Sequence, residues 1–190
     1  MIIFVGGMIG AGKSTIAQKL AEHFSIPYYD VDEIKKVVYR QDPDYERNLS
    51  EGIPFSDEIR LEVFRRVFQD LETLMQDHTH IVVDETLHKR EIRHFLYHEA
   101  RRIAGGFIVI WVQAREDVIL QRLGAKKRSG HILDDPLPLH NAFVKAFEEY
   151  QRCIIDCPNN GPVDETVADL VQLIESIGML TAGRAASGAQ

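Results

Sequence analysis

Near the start of the chain, Gly7-Met8-Ile9-Gly10-Ala11-Gly12-Lys13-Ser14 fits the pattern G-x-x-x-x-G-K-[ST], with Thr15 directly behind it. The chemistry this spacing serves is the holding of a polyphosphate. Glycines let successive backbone N–H groups turn inward around an anion, where a Cβ would obstruct them. A helix starting near Lys13 would bring its positive dipole end to the same point. Gly7, Gly10, Ala11, Gly12, Lys13, Ser14 and Thr15 are therefore expected to hold a nucleotide. Within that set, Lys13 would reach the β- and γ-phosphates and the Ser14 hydroxyl would ligate Mg²⁺.

Four further groups carry chemistry. Asp30 and Asp32 stand two apart, so in an extended segment they point the same way. A carboxylate beside a γ-phosphate can take the proton of an attacking hydroxyl; equally, both residues could simply cap the next helix. Asp84 closes the apolar run Ile81-Val82-Val83, the usual second half of a phosphate-loop site, where it would hold Mg²⁺ directly or through water. Glu85 behind it would either activate water or face outward. Arg60 falls in the first turn of a helix, where a cation opposes the dipole; that hints at an anionic partner, though a solvated arginine fits as well. Arg122 leads into Lys126-Lys127-Arg128-Ser129-Gly130, either a lid of arginines over phosphate oxygens or a basic helix end. His94 and His98 have an i, i+4 metal spacing, but with no third ligand in view they read as surface residues.

These residues need a scaffold, and the apolar pattern supplies one. Ile2-Ile3-Phe4-Val5 reads as a strand, and Ile16, Ala17, Leu20, Ala21 and Phe24 as the buried stripe of the helix after the glycine loop. Ile26-Pro27-Tyr28-Tyr29 is a short second strand, followed by a helix over 34–40 and a long polar connection over 41–56. Ser56 caps a helix over 57–76 with a stripe at Ile59, Val63, Val67, Leu71 and Leu74. After the third strand come a helix over 89–104 ended by Gly105-Gly106, and the all-apolar Phe107-Ile108-Val109-Ile110-Trp111-Val112, a central buried strand. Helices from 116 and over 139–150, a strand over 153–156 and a helix over 164–177 complete the chain. In an open parallel sheet ligands sit beyond the carboxyl ends of the strands, which gathers the acidic strand ends beside the phosphate loop.

At 190 residues, one domain over 1–180 with a frayed tail over 181–190 is expected. An apolar content of 45% and a charged content of 27% are ordinary for a globule, and a net charge of −7 argues against nucleic acid and anionic membranes as partners. No apolar run reaches membrane-spanning length, and the apolar N-terminus lacks the basic region of a signal peptide. Two cysteines, Cys153 and Cys157, make neither a zinc site nor a disulfide framework, so a cytoplasmic monomer or homodimer is expected.

The ordering of these motifs over residues 2–177 resembles the small P-loop kinases: shikimate kinase, gluconokinase and the kinase module of polynucleotide kinases. Asp30-Val31-Asp32 is similar to the shikimate-kinase D-x-D, whose second aspartate contacts the accepting hydroxyl. It is also similar to the polynucleotide-kinase D-D-x-x-R, with Lys35 in place of the arginine. Gly52-Ile53-Pro54-Phe55-Ser56-Asp57-Glu58-Ile59-Arg60 resembles the gluconokinase G-x-P-L-x-D-x-D-R, and Val82-Val83-Asp84-Glu85-Thr86 the V-x-D-x-T of the polynucleotide-kinase branch, where the residue at 85 is usually small. The spacing of Arg122 and Arg128 resembles their lid.

The resemblance implies an α/β P-loop NTPase fold, a three-layer sandwich with a five-stranded parallel sheet in the order 2-3-1-4-5. It also implies a substrate-binding insertion near 33–70 and a lid near 124–137. The implied reaction moves the γ-phosphoryl group of MgATP to a hydroxyl of a small molecule such as a sugar or sugar acid. Lys13, Asp32 and Arg128 would be catalytic; Arg122 and Asn159, in the loop after strand five, would join the nucleotide-binding set. Asp30, Asp32, Arg60 and Glu85 would bind the acceptor, and Ser14 and Asp84 the metal. Two alternatives stay open: a 5′-hydroxyl polynucleotide kinase, and an ATP-hydrolysing switch in which Glu85 positions water.

Overall fold

The central strand β1, Ile2–Gly6, is buried along its whole length, and its alternating side chains feed two separate cores. Ile2 and Phe4 point to one face, where they meet Val63, Phe64, Leu71, Ile92 and Leu96. Ile3 and Val5 point to the other, against Ile16, Leu20, Val171 and Ile174. A strand covered on both faces has no polar side, so its sequence is continuously apolar and not alternating. The structure, a computed structural model, describes residues 1–124, 137–149 and 155–180.

The elements follow in chain order as β1, α1 (Lys13–Phe24), β2 (Tyr28–Tyr29), α2 (Asp32–Tyr39), α3 (Tyr45–Glu51) and α4 (Asp57–Leu74). Then come β3 (Ile81–Asp84), α5 (Arg90–Ala104), β4 (Phe107–Gln113), α6 (Glu116–Gly124), α7 (Leu137–Lys145), β5 (Ile155–Pro158) and α8 (Val163–Ser176). All strand pairs are parallel and the order is β2-β3-β1-β4-β5, with α1 and α8 on one face and α4 and α5 on the other. This is the expected three-layer α/β sandwich. The register pairs Val5 with Asp84, so the last acidic residue of β3 lies beside the strand that enters the glycine loop.

Local chemistry sets the helix limits. Ser56 Oγ accepts from the Ile59 N–H at the start of α4, and α5 stops where Gly105 turns left-handed (φ 69°). The polar connection over 41–56 is not irregular as expected. It contains α3, which Gly52 ends in a left-handed turn (φ 64°) packed against Pro138 at the start of α7. No stripe in the sequence announced that helix, because Asn48 is the one residue it fully buries. Other limits move by a few residues: α7 begins at Leu137 and β5 runs over Ile155–Pro158. Arg128, Cys153, the tail over 181–190 and all of the expected lid except its two ends lie outside the described residues. No described helix is long and apolar enough to cross a membrane.

Candidate active site

Between β1 and α1 the chain turns through Gly7 (φ 142°) and Gly12 (φ 99°). A Cβ on Gly7 would be driven into the Val112 carbonyl oxygen, and one on Gly12 into the Asn159 side-chain amide. Glycine is required at both places, by backbone conformation and by space alike. Lys13 opens α1, so the N-terminus of that helix faces the hollow of the loop. The Lys13 ammonium lies 3.3 Å from the Met8 carbonyl oxygen, and burial lowers its affinity for its proton. Asp84, Glu85 and Asp32 oppose that shift.

The two expected metal ligands meet directly. Ser14 Oγ donates to Asp84 Oδ2 at 2.7 Å, while Tyr28 donates its phenolic proton to Oδ1 at 2.7 Å. Burial raises the Asp84 carboxyl above its ordinary value, and Lys13 is the strongest influence pulling it back. Tyr28, invisible as a site residue in the sequence, is fixed there because β2 pairs Tyr28 with Val82, two residues before Asp84.

Arg122 and Asn159 stand behind the loop and do not line the cavity. Arg122 donates to the Ala11 carbonyl (3.0 Å) and to the Asn159 carbonyl (3.0 Å); the Asn159 amide donates to the same Ala11 oxygen at 2.8 Å. From this side His140 on α7 also donates Nδ1–H to the Ile9 carbonyl at 2.9 Å. Three side chains thus spend donors on the loop carbonyls of Ile9 and Ala11 and hold the loop in shape.

That cavity holds about 330 Å³ and joins the loop to the residues of α2, α3 and α4. Thr15, Asp32, Lys35, Arg60, Asp84 and Glu85 all face it. Asp30 does not: its Oδ1 accepts from the Asp32 N–H at 2.9 Å, the capping role weighed as the alternative, and its neighbour Asp32 alone reaches the cavity. Lys35 lies between two carboxylates, 3.0 Å from Asp32 Oδ1 and 2.7 Å from Glu85 Oε2. The contact to Oε2 is an ion pair, while Oε1 accepts from the Thr86 N–H at 2.8 Å. Burial alone would raise the Glu85 carboxyl, but Lys35 and then Arg60 hold it down to about 2.

Arg60 is buried and not solvated, with Nη1 3.6 Å from Asp57 and donating to His88 Nε2 at 3.2 Å. A guanidinium only donates, so Nε2 is the bare nitrogen and the imidazole proton sits on Nδ1, which has no hydrogen-bond partner. The His88 ring stacks on Phe143 of α7 (centroids 3.8 Å apart), and burial, then Arg60, push its pKa down to about 3. Leu87, left-handed at φ 57°, turns the chain to deliver His88, and Arg93 braces the turn by donating to the Leu87 carbonyl at 2.7 Å. His98 pairs with Glu99 on the surface.

A family profile described as an AAA domain matches residues 3–135 of the chain. The chain belongs to the AAA domain family. Its fold is that of the small P-loop kinases. A sugar kinase from Janibacter sp. HTCC2649, solved without ligand, superposes with a TM-score of 0.70 at 19% identity, over 95% of this chain and 98% of its own. A gluconokinase from Sinorhizobium meliloti 1021 does so with a TM-score of 0.67 at 25% identity, over 93% and 94%. No curated protein sequence gives a significant match. In this AAA domain the residues that sequence reasoning missed are Tyr28, Lys35, Asn48 and His88. Lys35 alone had left a signal, as the cation standing where the polynucleotide-kinase pattern has arginine.

Proposed function

We propose that this AAA domain is an ATP-dependent small-molecule kinase that moves the γ-phosphoryl group of ATP to a hydroxyl of a sugar, sugar acid or similar metabolite. The observation that carries the reading is the single cavity in which Lys13, Ser14 and Asp84 face Asp32 and Arg60. A switch or hydrolase has no need of a cavity that runs on from its phosphate loop to residues of α2, α3 and α4.

The residues fit a nucleotide phosphate: the loop is a cradle that a Cβ at Gly7 or Gly12 would fill, with a buried cation at Lys13. They also fit Mg²⁺, since Ser14 and Asp84 present the hard oxygen ligands that it takes. Bound there, the metal would neutralise charge on the phosphates and make them better acceptors of an attacking oxygen. Asp32, held 3.0 Å from Lys35, takes the proton of the acceptor hydroxyl. As it does so, the hydroxyl oxygen bonds the γ-phosphorus and the bond from phosphorus to the oxygen of ADP breaks. Arg60, oriented by His88, holds a polar end of the acceptor, and the segment 33–70 provides the acceptor's walls. Arg122 and Asn159 keep the loop in shape for the phosphates, and Arg128 is proposed to close over the transferring group.

Glu85 weighs against the hydrolase alternative. Besides the Lys35 that it shares with Asp32, Glu85 accepts the Thr86 N–H and feels Arg60, and a carboxylate so held at about 2 is a poor base for water at neutral pH. The test is ADP release with MgATP against sugars, sugar acids, nucleosides and 5′-hydroxyl oligonucleotides. An acceptor-dependent rise is expected; fast hydrolysis that no acceptor raises would sink the kinase reading. Asp32→Asn should leave ATP binding intact and lower transfer by about 10² to 10⁴. Loss of nucleotide affinity instead would make Asp32 a structural or metal-holding residue.

A further inference from the structure

We infer that the acceptor bound by this cavity is an uncharged hydroxyl compound carrying an apolar face, and not a sugar acid; this rests on the kinase reading and narrows it. Three independent features of the acceptor half point there.

The first is the charge balance. An anionic acceptor needs a cation that has not already been spent. Lys13 belongs to the phosphates. Lys35 is held between Asp32 and Glu85, at 3.0 and 2.7 Å. Arg60 faces Asp57 at 3.6 Å and acts on Glu85 through space. Its Nη1 already donates to His88 and faces Asp57, so part of its donor set and of its charge is spent inside the protein. Among the described residues lining this half, two cations meet two carboxylates, leaving no net positive charge. A carboxylate brought in would stand beside Asp32, Glu85 and the triphosphate, where the described cations of this half are already paired.

The second feature is Asn48, 7% exposed, which lines the cavity and whose side chain makes no hydrogen bond among the described residues. An amide open to the cavity is best matched by a group that both donates and accepts. A neutral hydroxyl does both, whereas a carboxylate only accepts.

The third is the apolar part of the lining. Ile53, Pro54 and Phe55 follow α3, and Leu139 and Phe143 come from α7, forming one apolar surface. The Phe55 ring is stacked on Tyr39 (4.0 Å, 16°) and flanked by Tyr45 (6.1 Å), which holds it in place in the lining. A small polyol or open-chain acid has no apolar face to set against such a wall. A compound with an aromatic or aliphatic face beside its hydroxyls has one.

Calorimetric titration of the ADP-saturated protein with matched neutral and acidic pairs tests this: phenyl β-D-glucoside with phenyl β-D-glucuronide, D-glucitol with D-gluconate, and uridine with uridine 5′-monophosphate. In at least one of the pairs that carry a ring, the neutral member should bind at least tenfold more tightly. Asn48→Leu, which removes no internal hydrogen bond, should weaken that member about tenfold. Glu85→Gln, which returns the charge of Lys35 to the cavity, should shrink or reverse the preference. Tighter binding of an acidic member by the native protein, or no preference in any pair, overturns the inference. The binding readout is separate from turnover: if no panel member raises ADP release, the kinase reading fails while the titrations still decide the class of compound.

Discussion

Lys35 sits between two carboxylates, and the value of that arrangement lies in what happens when one member is removed. Taken alone, Lys35→Met leaves the Glu85 carboxylate buried with its nearest cation gone. Breaking a buried pair in this way costs about 3 to 5 kcal/mol, while replacing both partners with apolar residues is often near neutral. The double variant Lys35→Met/Glu85→Leu should therefore recover most of the stability that Lys35→Met loses, as read from urea midpoints. If the two losses instead add, the pair is not coupled as its geometry implies. Activity separates from stability in this set: the double variant should fold yet remain poor in transfer, because Asp32 has lost the cation that holds it in place.

At the scale of elements, α4 is the long rod on which Arg60 is carried. Its inner face inserts Val63, Phe64, Val67, Phe68 and Leu71 into the core under β1 and β3. Leu71→Ala removes a fully buried side chain and should cost about 2 to 5 kcal/mol in denaturant unfolding. Ser56→Ala removes only the cap on the Ile59 N–H, for about 1 kcal/mol. The cap lies one turn from Arg60, so Ser56→Ala should also raise the KM of the acceptor more than that of ATP. Leu71→Ala, two turns and more from Arg60, should leave both KM values unchanged at temperatures where it is folded. Equal changes in the two KM values for Ser56→Ala would argue against α4 as the support of the acceptor end.

For the whole molecule, the buried groups set how stability responds to acid. His88 holds its proton only below about 3, against an ordinary 6.5, and Glu85 only below about 2, against 4.5. Both values are lowered on folding, so the unfolded chain takes up protons first as pH falls. Their contributions are full above about 6.5 for His88 and 4.5 for Glu85, and are lost as pH falls toward the folded values. His88 alone should remove on the order of 2 kcal/mol between pH 7 and pH 5. His88→Phe keeps a ring on Phe143 but cannot titrate, so its urea midpoint should change less over that interval than that of the native protein. An unchanged pH slope in His88→Phe would mean that the acid sensitivity arises elsewhere.

What the sequence by itself determined is the part of this protein written in local pattern. The glycine loop is a property of consecutive residues, and the helices and strands follow from apolar periods of a few turns. The strand order came with them, because the family resemblance carried the topology. The pair of Ser14 and Asp84 was legible for the same reason: the end of β3 beside the loop is a consequence of the sheet. The tertiary structure decided everything that depends on which side chain meets which across the fold. Tyr28 reaches Asp84 from 56 residues away, and Arg60 finds His88 from 28 residues away; neither meeting leaves a period in the sequence. The same holds for Glu85. One residue past the end of a strand it could face water or the core, and only the position of α2, which brings Lys35 above it, selects the second. A charge in a sequence has a sign, but whether it is free to meet a ligand is settled by the neighbours that packing gives it.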